Sequence, residues 1–197
     1  MSRRAALAAF LFAAFAALAV VIQARHWFGD DALDGSGATV GGPFALTDSS
    51  GKRVTEKDFL GRYLLIYFGF TSCPDVCPTE LSVMAAALDR LGADGKNVQP
   101  ILITVDPERD TVETLADYVA SFHPRLIGLT GTVEEIQAVA KAYRVYFAKT
   151  APDATGDYSV DHSSVVYLMD PDGHYLTVFG RDVDAEAMAE GIRHHLK

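Results

Sequence analysis

The chain has 197 residues, enough for one domain with its own core, and carries 26 acidic against 17 basic residues for a formal charge of −9. That balance argues against nucleic acid and against anionic lipid surfaces as partners. Only two cysteines are present, too few for a thiolate-bound iron–sulfur cluster or for a zinc site built on sulfur alone.

The chain opens with Arg3 and Arg4, followed by an unbroken apolar run of 18 residues from Ala5 to Ile22. A run of that length spans a bilayer as a helix, and the leading arginines predict an N-in orientation with everything after Arg25 exported. A cleavable signal peptide, cut near Ala17-Leu18-Ala19, is the competing reading. Residues 1–25 are therefore read as an anchor or signal segment. Residues 26–43, rich in Gly and Asp, are read as a flexible spacer, and residues 44–197 as the functional domain. None of the 26 acidic residues precedes Arg25, whereas three of the 17 basic ones lie at or before it, so the exported part carries −12.

Within the domain, PFALTD (43–48) and the segment after Gly51 read as two short strands about a turn. RYLLIYFGF (62–70) is continuously apolar, as expected of a strand covered on both faces. Pro78 suits the first position of a helix whose buried face is Leu81, Met84, Ala85, Leu88 and Leu91. VQPILITVD (98–106) is a second central strand. A helix over 111–122 follows, with Asp110 as its N-cap. LIGLT (126–130) is a short strand, and Thr132 with Glu135 forms a capping box for the next helix. Residues 165–179 read as a hairpin about Asp170-Pro171-Asp172-Gly173, and Asp184 caps a last helix. The order strand, helix, strand, helix, strand, helix, hairpin, helix predicts an α/β domain with parallel central strands and a terminal antiparallel pair. A mixed sheet with a cysteine pair between its first long strand and the following helix is a thioredoxin-like arrangement. In such sheets, sites gather at the carboxyl ends of the parallel strands, where Cys73, Cys77 and DPERD (106–110) fall.

Cys73 and Cys77 are separated by three residues in SCPDVCP. A position at a helix start favours thiolate, the form that binds metal and also attacks disulfides. The spacing permits a disulfide and leaves both sulfurs free to converge on an ion. Cu(I) accepts two or three soft ligands and suits this inventory best. A structural disulfide is the bland alternative, although it would close a very small loop. Among the six histidines, His162 stands immediately before the hairpin strand, in the loop that faces the cysteines in a thioredoxin-like sheet. It is a candidate third ligand, with an ordinary polar loop residue as the alternative. His26, His123, His174, His194 and His195 have local explanations in the spacer, at helix ends or past a turn. Asp161 is a candidate to orient His162 or to add an oxygen to Cu(II). Asp75 reads as a turn former, and Asp106, Glu108 and Arg109 as part of a docking surface near the metal.

The segments GGPFALTD, DFLGRYLLIYFGFTSCPDVCPTEL, TVDPERDT and DHSSVVYLMDPDG together resemble the SCO/SenC family of copper-handling proteins. The resemblance implies a thioredoxin-like copper chaperone, a carrier rather than an enzyme, that helps assemble the binuclear copper centre of cytochrome c oxidase subunit II. It implies Cys73, Cys77 and His162 as the copper ligands, with Cu(I) favoured and Cu(II) also possible. It implies a single-pass protein of a bacterial inner membrane with its domain in the periplasm. Because an exported domain meets oxidants, holding copper also calls for a thioredoxin-like reductant. The alternative is a thiol–disulfide oxidoreductase in which Cys73 and Cys77 are a redox pair acting on the acceptor's cysteines.

Overall fold

The computed structural model describes residues 40–154 and 156–196. In chain order, strands β1 (Ala45–Asp48) and β2 (Arg53–Thr55) form a hairpin. Strand β3 (Tyr63–Gly69) leads through a short loop into helix α1 (Val76–Leu91), and β4 (Val98–Thr104) into α2 (Val112–Ala120). Strand β5 (Ile127–Thr130) and helix α3 (Val133–Ala142) follow. Two very short strands, β6 (Phe147–Lys149) and β7 (Val160–His162), precede the hairpin of β8 (Val166–Met169) and β9 (Tyr175–Phe179) and the last helix, α4 (Ala185–His195). The anchor and nearly all of the spacer read from the sequence lie outside the described residues. Among those that are described, no helix is long and apolar enough to cross a membrane.

The main sheet runs β2-β1-β5-β4-β3-β8-β9. Its centre is parallel: β3 pairs with β4 from Tyr63 opposite Val98 to Gly69 opposite Thr104, and β4 pairs with β5. Both flanks are antiparallel. Every residue of β3 and β4 is buried, which is why these two strands read as continuous apolar runs. Helix α1 places Leu81, Met84, Leu88 and Leu91 in the core and packs beside α4, which contributes Met188 and Ile192. This mixed sheet with four α-helices is the thioredoxin-like fold expected from the element order.

Local signals held at the starts of α3 and α4. Thr132 and Glu135 form the capping box of α3, and Asp184 accepts a hydrogen bond from the Ala187 N–H at the start of α4. One cap differs. Thr111, not Asp110, caps α2, with its hydroxyl accepting from the Thr114 N–H. Asp110 is instead wholly buried. The ribbon of β6 and β7, which pair antiparallel outside the main sheet, was not legible as strands at all.

Candidate metal centre

Strand β3 ends at Gly69 and the buried Phe70, and the chain then turns through Thr71–Asp75 into α1. Asp110 holds this turn. Its carboxylate accepts from the Thr71 N–H (3.1 Å), the Thr71 hydroxyl (2.6 Å) and the Thr104 hydroxyl at the end of β4 (2.6 Å). Three donors around one buried carboxylate tie the cysteine loop to the neighbouring parallel strand. Burial still pushes the Asp110 carboxyl up from its ordinary range.

Helix α1 begins two residues earlier than the proline predicts. Val76 and Cys77 are its first two residues, and Pro78 is the third, still within the turn whose N–H groups lack helical partners. The Cys77 N–H points at the sulfur of Cys73, 3.4 Å away, so the helix start serves the first cysteine. Cys77 itself is 0% exposed and Cys73 is half-buried. Burial pushes the Cys77 thiol up to about 12, against the expectation that the helix start would lower it. Desolvation is the largest cause, because the sulfur is wholly buried in the core beneath Gly69. A Cβ added at Gly69 would stand 3.0 Å from it.

His162 ends β7, paired with Phe147 on β6. Its Nδ1 lies 3.1 Å from the Ser163 carbonyl, to which the Nδ1–H donates. That leaves the lone pair on Nε2, which faces the Cys77 sulfur at 3.5 Å. The Phe70 and Tyr67 rings meet the imidazole edge-on, with centroids 5.8 Å and 6.0 Å away. Burial pulls the imidazole's pKa below its ordinary value and so favours the neutral ring. The two sulfurs and the imidazole nitrogen all lie within 4.8 Å of one another. Two thiols and one neutral imidazole, converging beside an open groove, can hold one soft cation, and the same two thiols can close to a disulfide.

The other sequence candidates fall elsewhere. Asp161 borders the groove but is exposed, and the Ser163 carbonyl, not Asp161, orients the imidazole. Asp75 borders the same groove and makes no side-chain cap to α1. Asp106 is not a surface group: it is 0% exposed and bound by Arg109 and Tyr158. Glu108 pairs with Lys149. His123 accepts from the Arg125 N–H, and His194 and His195 end α4. His174 lies with Asp170 and Asp172 in the β8–β9 turn, where the Asp170 carboxylate is already committed to the turn's own N–H groups. Sequence reasoning missed Asp110 and Gly69 as supports of the site. A carboxylate followed by its own capping threonine, and a glycine ending a buried strand, were the signals available.

The family model for SCO1/SenC matches residues 34–197. The chain belongs to the SCO1/SenC family. It is 50% identical over 156 residues to Protein SCO1 homolog 1, mitochondrial, of Arabidopsis thaliana, an alignment covering 79% of this chain and 46% of that protein. The chain spans about half the length of the curated SCO1 relatives it matches. Among solved structures, Arabidopsis thaliana ScoI with copper bound is 50% identical with a TM-score of 0.75, covering 78% of this chain and 95% of that one. Bradyrhizobium japonicum ScoI with copper bound is 46% identical with a TM-score of 0.74, covering 80% and 99%. The SCO1/SenC match includes every element from β1 to α4, and so all three converging side chains.

Proposed function

We propose that this SCO1/SenC chain is a membrane-tethered metallochaperone. It binds one copper ion through Cys73, Cys77 and His162 and delivers it to, or helps mature, the binuclear copper centre of cytochrome c oxidase subunit II. The observation that carries the reading is the convergence of two sulfurs and one imidazole nitrogen within 4.8 Å of one another, from segments far apart in the chain. The copper named in the two related structures supports the choice of ion. The donor set fits Cu(I), which takes two or three soft ligands.

Loading displaces one proton from each thiol, and the imidazole enters neutral. Cys73 and His162 are only half-buried, so incoming donor groups of an acceptor can replace them one at a time. Both thiols must be reduced to serve, which calls for a thioredoxin-like reductant in an oxidising compartment. The anchor over residues 1–25, the spacer over 26–43 and a periplasmic domain over 44–197 on a bacterial inner membrane complete the reading.

The second reading, a thiol–disulfide oxidoreductase, is favoured by the same two free thiols, one of them accessible. Anaerobic Cu(I) titration of the reduced chain separates the two. Wild type is expected to take up one equivalent. His162→Ala is expected to lose on the order of 100-fold in affinity, and Cys73→Ser more, while His162→Ala keeps most of its disulfide exchange. A reduced wild-type chain that takes up no copper overturns the carrier reading and leaves the oxidoreductase.

A further inference from the structure

The ribbon that carries His162 buries Val160 in the core, and polar contacts of one arginine and one tyrosine tie it further to the rest of the domain. Arg109, in the loop after β4, donates through Nε to the wholly buried Asp106 carboxylate and through Nη1 to Asp157 (2.9 Å). Its guanidinium carbon lies 3.9 Å from the centre of the Tyr158 ring. The Tyr158 hydroxyl donates to the second oxygen of Asp106 (2.9 Å). Lys149 on β6 also meets the Tyr158 ring (4.8 Å) and pairs with Glu108 (2.6 Å). Five side chains from two loops and the ribbon thus interlock around a buried carboxylate, and two of them, Arg109 and Tyr158, supply its hydrogen bonds.

Two routes lead from this knot to His162. Tyr158 lies four residues before it, with Ser159 and the first two residues of β7 between them. Arg109 also lies 5.9 Å from the Phe70 ring, and that ring packs edge-on against the imidazole at 5.8 Å. The ribbon's ladder is only three residue pairs long and lies outside the main sheet, so its own hydrogen bonds define its position weakly.

We propose that Arg109, with Asp106 and Tyr158, is a positioning latch that holds the β6–β7 ribbon where His162 can reach the two sulfurs. Arg109 touches none of the three. It acts through Tyr158 and Phe70, and it sets how tightly the third ligand is presented. The inference rests on the copper reading for its consequence, but the placement of the ring can be tested without copper.

The test has two arms. In the metal-free reduced chain, nuclear Overhauser contacts between the His162 imidazole and the Phe70 ring are measured in wild type, Arg109→Ala, Arg109→Lys and Tyr158→Ala. The latch predicts that both alanine variants lose these contacts while contacts among Leu81, Met84 and Leu88 persist, and that Arg109→Lys recovers them in part. In the second arm, Cu(I) affinity is read by competition with a chromophoric chelator in a double-mutant cycle with His162→Ala. Arg109→Ala is expected to weaken binding about 10- to 100-fold in the wild-type background and to change it little once His162 is gone. Equal losses in both backgrounds, or intact ring contacts in both alanine variants, overturn the latch. Should Arg109→Ala fail to fold because Asp106 is left unpaired, Tyr158→Ala keeps the Arg109–Asp106 pair and decides alone. If wild type binds no copper, the copper reading fails and the metal-free arm still judges the latch.

Discussion

The Nε2 of His162 stands 3.5 Å from the sulfur of Cys77, joining residues 85 apart in the chain. The contact covers one cysteine and leaves the other accessible. Cys77 is 0% exposed, with its thiol pushed up to about 12 by burial, and Cys73 is half-buried. Iodoacetamide at mildly alkaline pH should therefore modify Cys73 first in the reduced, metal-free chain. Cys77 should react on the order of 100-fold more slowly until denaturant is added. Peptide mass spectrometry over a time course reads both rates, and comparable rates would contradict the buried placement of Cys77.

Gly69 gives a second handle. A Cβ there would meet the Tyr67 ring at 2.7 Å and the Cys77 sulfur at 3.0 Å. Gly69→Ala must push one or the other away. The overpacking should cost about 1–3 kcal/mol in denaturant unfolding. Because the displaced atom is a proposed ligand or its immediate neighbour, Cu(I) affinity should fall by roughly tenfold as well. Wild-type affinity in a folded Gly69→Ala chain would mean that the sulfur is free to move without cost.

Asp110→Ala removes the acceptor of two threonine hydroxyls and the Thr71 N–H, with the Thr104 hydroxyl fully buried and Thr71 partly so. The expected loss is about 3 kcal/mol, a fall in Tm of roughly 6–12 °C for a domain of this size. The cysteine turn loses its tie to β4 in the same step. Hydrogen exchange at the Thr71 N–H should accelerate more than at the core of β3, and uniform acceleration would assign Asp110 to global stability alone.

Asp184→Ala serves as the contrast. It removes the N-cap of α4, far from the cysteines in sequence, and should cost about 1 kcal/mol. Copper affinity should be unchanged. If it dropped along with stability, losses at Gly69 and Asp110 would no longer report on the site itself.

What the sequence carried plainly was whatever depends on neighbours along the chain. The apolar run of β3, the Thr132–Glu135 box, the Asp170–Gly173 turn and the α1 stripe, with Ala87 buried in place of Ala85, appear where local pattern placed them. The three side chains that converge, Cys73, Cys77 and His162, were also legible as candidates, from residue type, spacing and family resemblance together. Features decided by distant chain were misread or missed. Asp110 has the side chain and position of a helix cap, yet Thr71 and Thr104 draw it inward and Thr111 takes its place. Cys77 sits in the first turn of a helix, but the core above it governs its thiol. The ribbon of β6 and β7 is too short to show alternation, and its position depends on contacts from the loop that holds Arg109.

The separation of 85 residues between Cys77 and His162 has a consequence during synthesis. At roughly 5–20 residues per second, the cysteines leave the ribosome about 4–17 s before the histidine does. Throughout that interval the nascent chain carries both thiols without His162. Under the copper reading, the proposed ligand set is complete only once His162 has emerged.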